Sequence, residues 1–183
     1  MNPFKPNFRS ISAGLGLLLL VAWVCFLRYP SFGHLMWNVD ETIHAAIARL
    51  LLDGGTLYVD AIDQRTPLTY HVFAAIFGLF GPNLVPVRAV VGLMLGVSAW
   101  LLGRSAARVH GPATGIGTGL TFAALTSYLL FPGDVLAVHT EWFVVFFTSA
   151  AAWVLFGKYP QTPGANRTVT ASALVGLAAL SKQ

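Results

Sequence analysis

Apolar residues in this chain fall into long blocks separated by short polar runs. The blocks cover Ile11 to Leu27, Pro67 to Phe80, Leu84 to Leu102, Ala113 to Phe131, Val135 to Phe156, and Val169 onward. A helix that crosses a membrane needs about 20 mostly apolar residues. The second block holds only 14 residues, about 21 Å of helix at 1.5 Å per residue. Against a hydrocarbon core of about 30 Å, such a segment is expected to be interfacial or re-entrant. The other blocks have the length, the last if it continues past Gln183. The pattern predicts an all-α fold, a polytopic transmembrane helix bundle with about five spans. They are expected at 11–27, 84–103, 113–131, 135–156 and 168–183.

The charges orient these spans. Lys5 and Arg9 precede the first block, and Arg28-Tyr-Pro follows it where a cleavage site would need small residues. The block therefore reads as a retained anchor with its N-terminus in the cytoplasm. If the short second block does not span, Arg104/Arg108 and Lys158/Arg167 all lie in the cytoplasm, as the positive-inside rule requires. If it spans, both pairs lie outside. The first arrangement is adopted. It puts the outer loop 28–83 and the turn "FPGDVLAVHTE" on the same non-cytoplasmic side. Every acid of the chain then shares that side: Asp40, Glu41, Asp53, Asp60, Asp63, Asp134 and Glu141.

Two juxtamembrane helices are expected in the outer loop, at about 40–53 and 67–80. Asn38 can cap the first, with Glu41 at the third helical position reaching back to the helix start. Ile43, Ile47, Leu50 and Leu51 form an apolar stripe, and Gly54-Gly55 ends the helix. Pro67 can open the second.

Composition supports the membrane reading. The 183 residues are 56% hydrophobic and 10% charged, with mean hydropathy +0.69, whereas soluble domains carry about 25% charged residues. The net charge of +4 comes from scattered bases flanking apolar blocks, which excludes a nucleic-acid-binding face. Cys25 is the single cysteine, so there is no disulfide framework. Gly92/Gly96 and Gly111/Gly115/Gly119 repeat at four-residue spacing, the pattern of closely packed membrane helices. The chain closes on "GLAALSKQ" in or just after an apolar run, as expected of the N-terminal part of a longer protein.

The chemistry sits in the acids and their neighbours. Capping and the helix dipole account for Glu41 but leave Asp40 over. Ionisable groups at membrane depth point to function. Asp63 and Arg65 lie two apart in "DQRTPL"; Arg65 either pairs with a surface acid or holds a phosphate. Arg88 is a second clamp or snorkels to the interface. His44 follows Asp40 by one helical turn, and His139 precedes Glu141 by two residues. No closed metal signature is present, so each histidine reads as structural or hydrogen-bonding. A divalent metal, if used, would draw on Asp63, His44 and His139. Asp134 follows Pro132-Gly133 as a turn residue, and Glu141 stands in the first turn of a span, where an acid suits the dipole. Phosphate loop, nucleophile elbow and zinc-protease helix are all missing.

The order of these features resembles the N-terminal part of the GT-C fold glycosyltransferases. It is most similar to the dolichyl-phosphate-mannose–protein mannosyltransferases and the bacterial lipid A aminoarabinose transferases. The resemblance runs from Ile11 to Gln183. Its most specific parts are Asp40-Glu41, the "DGG-x-x-Tyr-x-Asp" stretch and "D-x-(Lys/Arg)-x-Pro-Leu". It implies a polyprenyl-phosphate-linked sugar donor, an acceptor hydroxyl on a lipid, glycan or protein, and inversion at the sugar. Asp40 is implied as the catalytic base, with Glu41 and a second-loop acid, Glu141 or Asp134, in support. Arg65 matches the basic residue at the donor phosphate, with Arg88 and Lys182 as further candidates. The family's acid directly before that basic residue is replaced by Gln64, with Asp63 one further back.

The resemblance implies a multi-pass protein of the bacterial inner membrane, surrounded by membrane lipids, with its active site on the periplasmic side. The 183 residues alone are expected not to catalyse, since half the cavity is missing. The alternative class is a transporter or lipid flippase subunit. Such proteins bury charge at mid-membrane, and here the middles of the spans carry none.

Overall fold

A computed structural model describes residues 8–33, 38–127, 135–158 and 161–182. It is all-helical: α1 (Phe8–Leu27), α2 (Tyr29–Phe32), α3 (Val39–Leu52), α4 (Leu68–Phe80), α5 (Leu84–His110), α6 (Pro112–Leu125), α7 (Thr140–Phe156) and α8 (Ala165–Ala179). The described residues form no strand, only an isolated bridge between Leu57 and Ala61.

Local chemistry sets the helix ends. Asn38 caps α3 by accepting from the Asp40 N–H at 2.8 Å, and Asn83 caps α5 by accepting from Val85 N–H at 2.9 Å. Gly111, at φ +92°, closes α5 in a conformation that strains other residues, and Pro112 opens α6 directly after it.

The helix α5 is central. It runs antiparallel to α1, with Gly92 beside Cys25 and Gly96 beside Val21. It also runs antiparallel to α6, with Gly103 against Gly115 and Ala99 against Gly119. A Cβ built on Gly103 would lie 2.7 Å from the Gly115 carbonyl oxygen, so these backbones touch where a side chain would hold them apart. The start of α7 approaches the start of α5, and Trp153 of α7 meets Trp100 of α5 at 5.9 Å between ring centres. Antiparallel to α7 runs α8, whose Arg167 bonds the Val154 carbonyl. The core these helices share includes Val24, Phe73, Val91, Leu95, Ala123 and Phe143.

At 27 residues, α5 is about 40 Å long. Among the described residues it is the one helix long and apolar enough by itself to cross a membrane. The apolar helical runs Leu15–Leu27, Leu68–Phe80 and Thr140–Phe156 are shorter. Outward-facing apolar residues are nonetheless plentiful, among them Leu18, Phe26, Leu79 and Ile116, each at least 64% exposed.

The up-and-down order gives the bundle two chemically different ends. Asp40 and Glu41 on the first turn of α3, Asp53, Asp60 and Asp63 between α3 and α4, and Glu141 at the start of α7 lie where α5 begins. Arg104 and Arg108 lie toward the end of α5, about 24 and 30 Å along the helix from Arg88.

Candidate functional site

The first turn of α3 carries both carboxylates, and the helix turns them apart. Asp40 is 36% exposed and meets the Arg65 guanidinium, itself 25% exposed, at 2.7 Å. A second nitrogen of Arg65 lies 2.9 Å from Nε2 of His44, one helical turn beyond Asp40. An arginine has only hydrogens to offer. Nε2 therefore accepts, and the imidazole is neutral with its proton on Nδ1. That Nδ1 is buried and has no hydrogen-bond partner among the described residues. His44 packs against the rings of Tyr70 and Phe73; burial first, then the Arg65 charge, push its pKa down to about 4.

The loop before α4 is tied so that Arg65 keeps its place. Tyr58, at φ +68°, donates its hydroxyl to the Arg65 carbonyl at 2.5 Å. A left-handed backbone costs a non-glycine residue about 1–2 kcal/mol, which the surrounding turn must offset. Tyr70 of α4 donates to Asp63 at 2.7 Å, and the Gln64 N–H donates to the other Asp63 oxygen at 2.6 Å. Burial works against the Asp63 charge, but these two bonds and the Arg65 charge outweigh it and hold the carboxyl below its usual range. Partial burial likewise opposes the Arg65 charge, and the bond and charge of Asp40, with Asp63, raise its pKa above the ordinary value.

Glu41 departs from the expected capping role. Its side chain is fully buried and grips Arg88, also fully buried, through two bonds of 2.8 and 2.5 Å. It also accepts from the Val138 N–H at 3.3 Å. Asn38 caps the helix without it. Arg88 does not snorkel; it turns inward, onto Glu41 and the Ser31 carbonyl. The reason is energetic: a carboxylate and a guanidinium in an apolar interior are each costly alone. Arg88 thus sits beside Glu41 rather than in the Asp40–Arg65 group.

Sequence reasoning missed Arg28. Its fully buried guanidinium donates to the carbonyls of Thr126, Val135, Leu136 and Ala137 at 2.8 to 3.3 Å. It ties the end of α1 to the end of α6 and to the segment entering α7. The available signal was a charge placed directly at the end of an apolar block, with no acid nearby. The roles of Tyr58 and Tyr70 were also missed, though Tyr58 stands in one stretch that carried the resemblance and Tyr70 two residues after another.

Glu141 pairs with Lys182 at the surface and accepts from Thr140 at 3.1 Å. Lys182 reaches this place because the end of α8 docks on the start of α4, where Leu68 N–H donates to the Leu180 carbonyl at 3.3 Å. His139 immediately precedes α7 and is near enough to oppose the charging of His44. Asp134 lies outside the described residues. A cleft of about 620 Å³ opens on the other flank of α3, past Thr42, Ala46 and Arg49. Neither Asp40 nor Arg65 lines it.

The residues suggested for a divalent metal do not fit one as arranged. His44 presents its lone pair to a guanidinium, and both Asp63 oxygens already accept protein hydrogens. Among the described residues no three His, Cys, Asp or Glu side chains gather around a common point.

No family model matches the chain, and no solved structure matches it. Among curated proteins it is similar to undecaprenyl phosphate-alpha-4-amino-4-deoxy-L-arabinose arabinosyl transferase 1 of Pseudomonas fluorescens (strain Pf0-1), with 34% identity over 88 residues. That stretch covers 45% of this chain and 16% of the relative's length. The similarity is partial, and it agrees at a coarse level with the glycosyltransferase resemblance.

Proposed function

We propose that the chain carries the catalytic base and part of the donor site of a membrane glycosyltransferase that uses a polyprenyl-phosphate sugar. The observation that carries this reading is the Asp40–Arg65–His44 group, a partly exposed carboxylate beside a guanidinium held by a neutral imidazole. The partial similarity to a sugar transferase whose name includes undecaprenyl phosphate supports it. The apolar exterior supports a place in the bilayer; in this reading five segments span it and the acidic end of the bundle faces the periplasm, as the distribution of bases suggests.

In this reading the donor phosphate approaches Arg65, with Lys182 as the second cation. Arg65 exchanges Asp40 for the phosphate, and the freed Asp40 takes the proton of an acceptor hydroxyl. The acceptor oxygen forms its bond to the anomeric carbon as the bond from that carbon to the phosphate oxygen breaks. The electron pair leaves with the lipid phosphate, and Arg65 stabilises the charge that grows there. Attack opposite the leaving group inverts the centre, as a base and a departing group on opposite faces require. Base assistance of this kind contributes about 10² to 10⁴-fold. Glu41 and Arg88 brace the start of α3, and His44 positions Arg65. The test is transfer of sugar from undecaprenyl-phosphate donors by membranes containing the full-length protein.

A further inference from the structure

The end of the bundle away from Asp40 holds a second charged feature. Arg108 near the end of α5, Lys158 after α7 and Arg167 on the first turns of α8 converge on one cleft of about 330 Å³, with Trp153 as its apolar wall. Arg108 stacks over the Trp153 ring at 4.7 Å, and Arg104, one turn earlier, over Trp100 at 5.6 Å. Arg167 is partly used, since it donates to the carbonyls of Val154 and Leu155 at the end of α7. No carboxylate pairs with Arg104, Arg108, Lys158 or Arg167 among the described residues. The sequence offers no acid between Asp63 and Asp134 and none after Glu141. Orientation in a membrane needs cations at this end, but it does not need them drawn from three helices onto one concavity beside an indole.

We infer that this cleft binds the headgroup of an anionic phospholipid. A phosphodiester placed there would be held by Arg108 and Lys158, with its glycerol edge against Trp153, at the depth where tryptophan and basic residues meet headgroups. Arginine suits the planar, two-pronged contact with phosphate oxygens and lysine the point-charge contact. The site rests on the bundle lying in a bilayer and not on the transferase reading, and it is remote from the Asp40 group.

The test is native mass spectrometry of the full-length protein released from micelles doped with phosphatidylglycerol or phosphatidylcholine. The expected result is retention of phosphatidylglycerol in preference to phosphatidylcholine. Arg108→Gln with Lys158→Gln should lower that retention about tenfold or more, while Arg49→Gln, at the other end, leaves it unchanged. Lys158 is exposed, so Lys158→Gln alone carries the test if the double variant fails to fold. Equal retention of both lipids, or an equal loss with Arg49→Gln, would overturn the proposal. So would inorganic phosphate alone binding as well and displacing the lipid, which would assign the cleft to the free ion.

Discussion

One guanidinium joins two residues of α3: Arg65 bonds Asp40 at 2.7 Å and His44 at 2.9 Å. The planar fork reaches both at once, which a single ammonium cannot do. Arg65→Lys should therefore lose much of the function and Arg65→Ala nearly all of it. A cation acting on a developing anion is worth about 10² to 10³-fold in kcat. Steady-state kinetics over donor concentration should show that loss, with a raised donor KM.

His44 makes stability depend on pH. Its pKa is about 4 in the fold against about 6.5 in an unfolded chain. The unfolded chain therefore binds the extra proton first, and the contribution present above pH 6.5 is lost as the pH falls toward 4. The full difference amounts to about 3 kcal/mol. His44→Gln keeps an acceptor for Arg65 but cannot titrate. Thermal unfolding in detergent should show stability falling more steeply from pH 6.5 toward 4 in the parent than in the variant, which keeps only the carboxylate contribution near pH 4.

Glu41 and Arg88 form a pair with neither partner exposed to solvent. Removing one partner leaves a buried charge alone, at about 3–5 kcal/mol, whereas loss of a helix cap costs about 0.5–2 kcal/mol. Glu41→Ala should fall in the higher range. Replacing Glu41 and Arg88 together with apolar residues of similar volume should recover most of the loss. A double-mutant cycle on unfolding free energy measures the coupling.

Gly103 and Gly115 let α5 and α6 touch. A Cβ on Gly115 would lie 2.6 Å from the Gly103 carbonyl oxygen. Gly103→Ala and Gly115→Ala should each destabilise the protein by about 1–3 kcal/mol through overpacking. At Gly117, where no described atom lies within 4 Å of a built Cβ, alanine should be neutral or stabilise by up to about 1 kcal/mol. Unfolding midpoints of the three variants compare these effects.

The helices were legible because their signals are local. Asn38 before Val39 marks a start that depends on a few adjacent residues, whereas α5 runs on to His110, past the end expected at 103. The glycine spacing marked faces where backbones approach closely but not their partners: Gly92 and Gly96 meet α1, while Gly115 and Gly119 meet Gly103 and Ala99 of α5. The Asp40–Arg65 meeting joins residues 25 positions apart, and spacing supplied the candidates without the pairing. Glu41 was misread because a capping box and a buried acid look alike until Arg88, 47 residues later, is seen beside it. Arg28 stood out as a charge at the end of an apolar block, but its partners were illegible, because they are backbone carbonyls, which every sequence has and none advertises.

Asp40 carries the central claim, and sugar transfer by Asp40→Asn tests it most directly. The measurement compares the variant with the parent in membranes holding the full-length protein, alongside binding of an undecaprenyl-phosphate sugar. Transfer should fall by about 10² to 10⁴-fold while the protein inserts and donor binding persists. Undiminished transfer by Asp40→Asn would contradict that claim and return Asp40 to a surface partner of Arg65.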